Sequence, residues 1–444
     1  MATNIKAIKC PQCGSTRQTG IRANYYRCNS CGTEFFIDNE NDITVNHKFD
    51  VPNHAPQLKT VGIIVAAVIG SVFLLSILSS LLFSHKTKSN SYGAYTSAPA
   101  APKEKTFKWD RTETFCFESA NKQTIIVVVG TKDDDSRSDS KNILAGFYDA
   151  ASGKEITKQE LNILTKRFDA DIKFRRFETG EIYCIINKKK LLTLDRQYVK
   201  IDEMPTDFKD IPDLESGIAQ IEFVSDAYGD GFKILTNDGK ERYYYPIIRK
   251  VYNKDQFYTA NKGFATIPAQ SPVKTAFTFS RKSFDYPEEK IQLIKYKYKS
   301  AIGYPRDSYG FEWRKDYGGA GIFTDASPYK KRLINDWQMQ SARMISFSNF
   351  TPGRLYFNSK VLAYNDEVVI IAFRPSAAED APYSIQALDA NTAQVLWTTP
   401  VEDKIYLYDD NSITGSGYYI SGNSYDLFVD KNGKIIRKFK AGDL

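Results

Sequence analysis

One uninterrupted apolar run constrains this chain more than any other feature. Val61 to Phe83 carries no charged residue and is broken only by small or hydroxyl residues such as Gly62, Gly70, Ser71 and Ser76. At about 1.5 Å rise per residue, a helix over this run exceeds the roughly 30 Å hydrocarbon core of a bilayer. It is too long for an ordinary core helix. A cysteine-rich segment precedes it, which a cleaved leader would not allow. The reading is one transmembrane helix over 61–83. Gly62, Ala66 and Gly70 form a small-residue face suited to pairing such helices.

Before the run stand two Cys-x-x-Cys turns, Cys10-Pro11-Gln12-Cys13-Gly14 and Cys28-Asn29-Ser30-Cys31-Gly32. Soft thiolates at this spacing predict a four-cysteine zinc ribbon over 1–37. Cys10, Cys13, Cys28 and Cys31 close the coordination shell, so the Zn²⁺ is structural. Gln18 to Arg22 and Asn24 to Arg27 alternate as a hairpin does, with Glu34 to Ile37 as closing strand. Arg17, Arg22, Tyr25, Tyr26 and Arg27 either cover this hairpin or contact a protein. The patch is too small to read as a nucleic-acid site. Residues 38–60 read as a linker. Residues 84–105, rich in Ser, Ala, Pro and Lys, read as a flexible tether.

Lys48 and Lys59 balance Lys86 and Lys88 across the run, so flanking charge does not set its direction. Zinc thiolates need a reducing compartment. The expected topology is therefore a single pass through the cell membrane, with a cytoplasmic N-terminus and an extracytoplasmic C-terminal domain. Of the six cysteines, Cys116 and Cys184 remain for that domain. They fit either a disulfide or two buried thiols, since both sit in apolar, strand-like contexts.

From 106 to 444 the pattern is mainly β. Tyr and Phe number 28 each, and short apolar runs recur between turn signals. Thr124–Gly130, Ile143–Tyr148, Ile218–Val224, Phe232–Leu235, Val368–Phe373 and Tyr418–Ser421 are such runs. Two short helical insertions are expected. Thr157-Lys158-Gln159-Glu160 has the form of a capping box opening a helix toward Phe168. Ser327-Pro328 would cap another, with Leu333, Ile334, Trp337 and Met344 on its apolar side. A phrase also repeats: an apolar strand, Asp or Asn, a glycine turn, and an outgoing strand. It stands at Phe147–Lys154, Ile234–Lys240 and Leu427–Lys434. It is fullest at Ala387-Leu388-Asp389 through Val395-Leu396-Trp397, where Ala393 replaces the glycine.

That last copy resembles the blade repeat of quinoprotein-type (PQQ-like) β-propellers. The resemblance implies that Trp397 packs between neighbouring blades. It covers roughly the last eighty residues well, and the other copies lack the tryptophan. At about 40–50 residues per blade, 106–444 has room for six to eight blades. The architectural alternative is an irregular sandwich.

The chemistry available to this domain is narrow. His47, His54 and His85 are the only histidines and all flank the apolar run. Ser-His-Asp and Cys-His catalysis and histidine-ligated metals are therefore excluded from 106–444. Carboxylate chemistry or an organic cofactor remains. The 60 Lys and Arg against 53 Asp and Glu are spread thinly, without the basic run that grips nucleic acid. Asp133 to Asp139 lacks the glycine and terminal glutamate of a calcium loop and reads as a hairpin tip. Gly303 to Gly321 is an aromatic, charged, glycine-rich stretch; Tyr304, Arg306, Trp313, Arg314 and Tyr317 are its candidate binding residues. The expected function is a membrane-anchored binding or scaffold protein. Its β-domain presents loops to a protein or glycan, and its ribbon is available to a second protein. The alternative is an extracytoplasmic enzyme, either a carboxylate-based glycan hydrolase or a quinone-dependent dehydrogenase.

Overall fold

A computed structural model describes residues 10, 15–22, 25–30, 34–36, 107–133, 140–166, 170–204, 208, 210–318, 324, 327–334, 341–378, 380–401, 406–408, 410–440, 442 and 444. The apolar run 61–83, both linkers, Cys13, Cys31, the tip 134–139, Trp337 and all three histidines lie outside these residues. Among the described residues no helix is long and apolar enough to cross a membrane.

The N-terminal segment forms the expected small sheet. β1 (Gln18–Arg22), β2 (Tyr25–Cys28) and β3 (Glu34–Phe36) pair in that order, antiparallel.

The C-terminal domain is a six-blade β-propeller. Blade 1 is β4 (Trp109–Glu118), β5 (Thr124–Lys132), β6 (Ser140–Asp149) and β7 (Glu155–Lys166). Blade 2 is β8 (Ile172–Arg176), β9 (Ile182–Ile186), β10 (Lys190–Asp195) and β11 (Lys200–Glu203). Blade 3 is β12 (Ile218–Phe223), β13 (Phe232–Thr236), β14 (Glu241–Tyr245) and β15 (Lys250–Tyr252). Blade 4 has, among the described residues, three strands, β16 (Val273–Phe279), β17 (Leu293–Lys299) and β20 (Met344–Asn349). Its β17–β20 connection carries a separate hairpin, β18 (Arg314–Asp316) and β19 (Lys330–Arg332). Blade 5 is β21 (Phe357–Tyr364), β22 (Val368–Arg374), β23 (Ser384–Asp389) and β24 (Val395–Pro400). Blade 6 is β25 (Ser412–Ile413), β26 (Gly417–Ile420), β27 (Asp426–Asp430) and β28 (Ile435–Phe439).

Each blade is a sheet with a neighbour on both faces, so its middle strands are apolar without alternation. The residues from Thr124 to Thr131 in β5, from Val368 to Phe373 in β22, and all of β9 are buried at every position. Separate cores fill successive gaps between blades 1 and 2, 2 and 3, 4 and 5, and 5 and 6. The wedge between blades 3 and 4 is filled differently. There α1 (Lys254–Lys262) stacks Phe257 on Tyr243 with ring centroids 3.9 Å apart. Arg343, fully buried, donates to the carbonyls of Asn261 (2.6 Å), Ala260 (2.9 Å), Lys299 (3.3 Å) and Pro305. It thereby satisfies the end of α1 and ties the insertion to the ring.

The ring closes without strand exchange, because blades 1 and 6 are each built from consecutive strands. Trp109, Cys116, Ile126 and Tyr148 pack on Tyr419, Phe428 and Phe439. Hydrogen bonds run beside this core: Ser412 Oγ to Cys116 O (3.0 Å), Thr114 with Tyr419 (2.8 Å) and Gly415 N to Glu118 Oε2 (2.6 Å).

The repeated phrase proves to be turn chemistry. In blades 1, 5 and 6 it joins the third strand to the fourth; Ile234–Lys240 instead joins the second to the third. Asp389 Oδ1 accepts the N–H groups of Asn391 (2.9 Å) and Thr392 (2.7 Å), and Asp430 Oδ1 does the same for Asn432 (2.9 Å). Ala393 takes the glycine's left-handed conformation, φ +62°. Trp397 lies between blades 5 and 6, 5.5 Å from Tyr418 and against Gly433.

One expected helix is corrected outright and the other at its described ends. Thr157 to Glu160 lies inside β7, which pairs with β6 along nearly its whole length. Gln159 also exchanges two side-chain bonds with the backbone of Ile201 in the next blade. Ladder bonds outweigh a local capping signature once a partner strand is present. After Pro328 the chain runs into strand β19 rather than a first helical turn, and Met344 opens strand β20; 335–340, with Trp337, lie outside the described residues. Among the described residues the α-helix that forms is α1, which has its own capping box between Asn253 and Gln256 and a left-handed stop at Gly263.

Candidate functional site

The blades contribute to the lining of a central channel chiefly through their first strands. Phe115 comes from β4, Phe174 to Arg176 from β8, Phe277 to Phe279 from β16, and Ser359 to Tyr364 from β21. Blade 6 supplies Asp410 to Ile413, and Asp226 and Asp230 come from the β12–β13 connection. The cavity measures about 800 Å³. A second recess of about 740 Å³ shares Phe174, Arg175, Asp226 and Asp410 with it and adds Glu113, Asp171, Lys173 and Glu222.

Most charges here are held by fixed partners. Arg175 pairs with Asp226, donates to Val224 O (2.5 Å) and lies over the Phe223 ring (4.7 Å). Arg306 donates to Glu178 (3.0 Å), which also takes Lys274 (2.6 Å), while the Glu178 N–H donates to Asp230 (2.7 Å). This network joins blades 2, 3 and 4 to the insertion. Arg176 is different. It donates to Cys116 O (2.9 Å), lies 5.6 Å from the Phe115 ring, and forms no ion pair among the described residues. The residue is exposed overall, but burial around its guanidinium lowers the guanidinium's proton affinity.

The carboxylates of the second recess press on one another. Burial pushes Glu113 up to about 8, reinforced by Asp410, Asp426 and Asp171 and only partly opposed by Lys173. Burial also raises Asp426, which accepts from Thr114 (3.2 Å) and from Gly422 N (3.1 Å). Asp230 is raised for the same first reason. The channel thus offers an Arg176 guanidinium without an ion-pair partner among the described residues, a set of paired charges and a carboxyl group held protonated at neutral pH.

The candidate loop residues are separated by the fold. Arg306 reaches the channel, whereas Tyr304 is half-buried beside blade 3 and contacts Gly229 through its carbonyl. Trp313, Arg314 and Tyr317 belong to the outer hairpin region. Arg314 pairs with Glu312 (2.8 Å), and Tyr317 meets Tyr329 edge-on (5.6 Å). Cys116 and Cys184 are free, fully buried thiols in two different cores. Burial pushes Cys116 up to about 12 and Cys184 upward as well. Cys10 and Cys28 are buried; among the described residues no group of three or more His, Cys, Asp or Glu could hold a metal.

Sequence reasoning missed Glu113, Arg175, Arg176 and Asp410. The Arg175-Arg176 pair between Phe174 and Phe177 was a usable signal, since two adjacent charges in a short strand must place one on each face. Asp410 carried none.

No family profile matches the sequence, and no curated protein matches it. Among solved structures, the chain is similar to the crystal structure of the tricorn protease, at 11% identity and TM-score 0.24. The match covers 78% of this chain and 36% of that one. A likeness at this level carries no functional argument.

Proposed function

We propose that this is a membrane-anchored binding protein whose propeller receives a protein or glycan partner at its central channel. The observation that carries this reading is the channel lining. Six blades bring fixed, mixed charges and aromatic rings to one cavity, with an exposed Arg176 and no histidine anywhere in the domain. Such a lining suits recognition by hydrogen bonds and charge. In this reading 61–83 is the single-pass anchor, the N-terminus is cytoplasmic and the propeller extracytoplasmic. Cys10, Cys13, Cys28 and Cys31 hold a structural Zn²⁺, and the ribbon is a contact module for a second protein. The zinc proposal is supported by buried Cys10 and Cys28 and by the turn in which Cys10 N–H donates to Ser15 O (2.8 Å).

The test is a photo-crosslinking amino acid placed at Asn365, in the channel, or at Lys434, on an outer turn, in cells. A discrete adduct from Asn365 alone, lost with Arg176→Glu, is the expected result. Equal adducts from both positions, or none from Asn365, would sink the channel reading. A reporter active only outside the cytosol, fused after Leu444, checks the topology.

One observation favours a second reading. A carboxyl group held protonated at neutral pH, as Glu113 is, is what a general acid in glycan hydrolysis requires. Turnover of envelope glycans by the protein, abolished in Glu113→Gln, would establish that reading. Its absence across a glycan panel would remove it.

A further inference from the structure

Blade 4 differs from the rest of the ring in charge as well as in strand number. Between Val273 and Asn349 the sequence has fourteen Lys and Arg against eight Asp and Glu, nearly the whole surplus of +7. At its rim, Phe284 is 92% exposed, the most exposed large apolar side chain among the described residues. It is not on a loose loop. The preceding Ser283 is buried, donates from Oγ to Trp313 O (2.6 Å) and accepts the Tyr286 N–H (2.8 Å). The following Asp285 accepts the Lys315 N–H (2.9 Å). Both neighbours are pinned to the outer hairpin, so the backbone that carries the ring is fixed.

The same loop forms one wall of a groove of about 560 Å³ between blades 4 and 5. Pro287, Ile291, Leu355 and Phe357 make it apolar, and Lys282 and Lys290 stand along it. Lys282, Lys290, Arg281 and Lys330 are exposed and form no ion pair among the described residues. Glu288 and Glu289 also line the groove, but Glu289 is taken by Lys331. Lys331 in turn lies over the rings of Tyr286 (4.4 Å) and Trp313 (5.0 Å).

We propose that this groove and Phe284 together dock an acidic peptide segment of another protein, one carrying an apolar or aromatic residue flanked by Asp or Glu. An aromatic side chain on a fixed backbone has only two side-chain torsions to order on association, which keeps the cost of a contact hot spot low. The unpaired lysines supply charge complementarity. The recess favours a peptide over a bilayer, because a flat lipid surface offers no segment to fill it. The site is separate from the channel and does not depend on it.

The test uses the full-length protein in detergent micelles to select from a displayed random-peptide library. Enriched peptides are synthesised with a fluorophore and titrated by anisotropy. The expected peptides are rich in Asp and Glu around an apolar anchor. Their affinity falls at least about tenfold in Phe284→Ala and again in the Lys282→Glu, Lys290→Glu double variant, and weakens with salt. Because Phe284 is nearly fully exposed, its removal leaves the thermal midpoint unchanged, which separates lost binding from lost folding. Arg176→Glu leaves these affinities unchanged, so failure here and failure of the channel reading are distinguishable. Selection without acidic enrichment, binders indifferent to both variants, or no binder at all would overturn the proposal. So would Phe284-dependent binding to phosphatidylglycerol vesicles or mixed-sequence RNA without peptide binding.

Discussion

Glu113 makes the stability of this propeller fall as pH rises, the reverse of the usual behaviour of a paired carboxylate. Its carboxyl moves from an ordinary 4.5 to about 8, because burial and then Asp410, Asp426 and Asp171 oppose its ionised form. A group with a raised folded value binds its proton more tightly in the native state than in the unfolded one. Its contribution is therefore complete below about 4.5, declines through neutrality and is lost above about 8. At about 1.4 kcal/mol per pH unit, the full span corresponds to roughly 5 kcal/mol. Glu113 is only half-buried, so solvent relieves part of this, and about 2 kcal/mol is expected between pH 5 and 8.5. No histidine lies in the domain to add a titration in that window, and Asp426 and Asp230 are raised in the same sense. The assay is urea unfolding followed by tryptophan fluorescence at several pH values, for the native protein and Glu113→Gln. The native protein should lose stability with pH and the variant should lose about 2 kcal/mol less. A native curve that is flat or rises from pH 5 to 8, or a variant that falls as steeply, would refute the reasoning.

Four further outcomes are expected. Gly417→Ala places a Cβ 2.2 Å from Val429 O on the paired strand and should lower stability by about 3 kcal/mol or more, read by thermal unfolding. Gly239→Ala meets no neighbour within 4 Å and should cost only about 1 kcal/mol, from its φ of +80°. Arg343→Met removes the guanidinium donor from the carbonyls of Asn261, Lys299 and Pro305, and from Ala260, which keeps the Gly263 N–H and the Thr266 hydroxyl. It should cost about 3–5 kcal/mol and expose 300–343 to limited proteolysis; an unchanged digestion pattern would contradict the role given to Arg343. Cys116 and Cys184 should resist thiol reagents until the protein unfolds and then react as two thiols, whereas rapid native labelling would contradict their burial.

The β-strands were legible because their physics is local. A strand buried on both faces must be apolar throughout, and a tight turn must have Asx and a positive φ, so Thr124–Gly130, Val368–Phe373 and the Asp389–Ala393 turn announce themselves. The helix α1 was equally legible in its Asn253–Gln256 capping box and Gly263, though it was overlooked. The Thr157–Glu160 signature pointed the wrong way, since a capping box reports only what a segment does without a partner strand.

What the sequence by itself determined was therefore the mainly β character of 106–444, the location of its turns and the absence of histidine chemistry there. Only the tertiary structure decided the blade count. Blade 4 has, among the described residues, three strands and a long insertion from Ser300 to Arg343, so length does not divide evenly into blades. The structure also decided the channel. Glu113 stands in the first blade and Asp410 and Asp426 in or beside the last, and it is ring closure that brings their charges together. A carboxyl group's proton affinity depends on the charges within a few ångströms of it, and that distance exists only once the ring has closed.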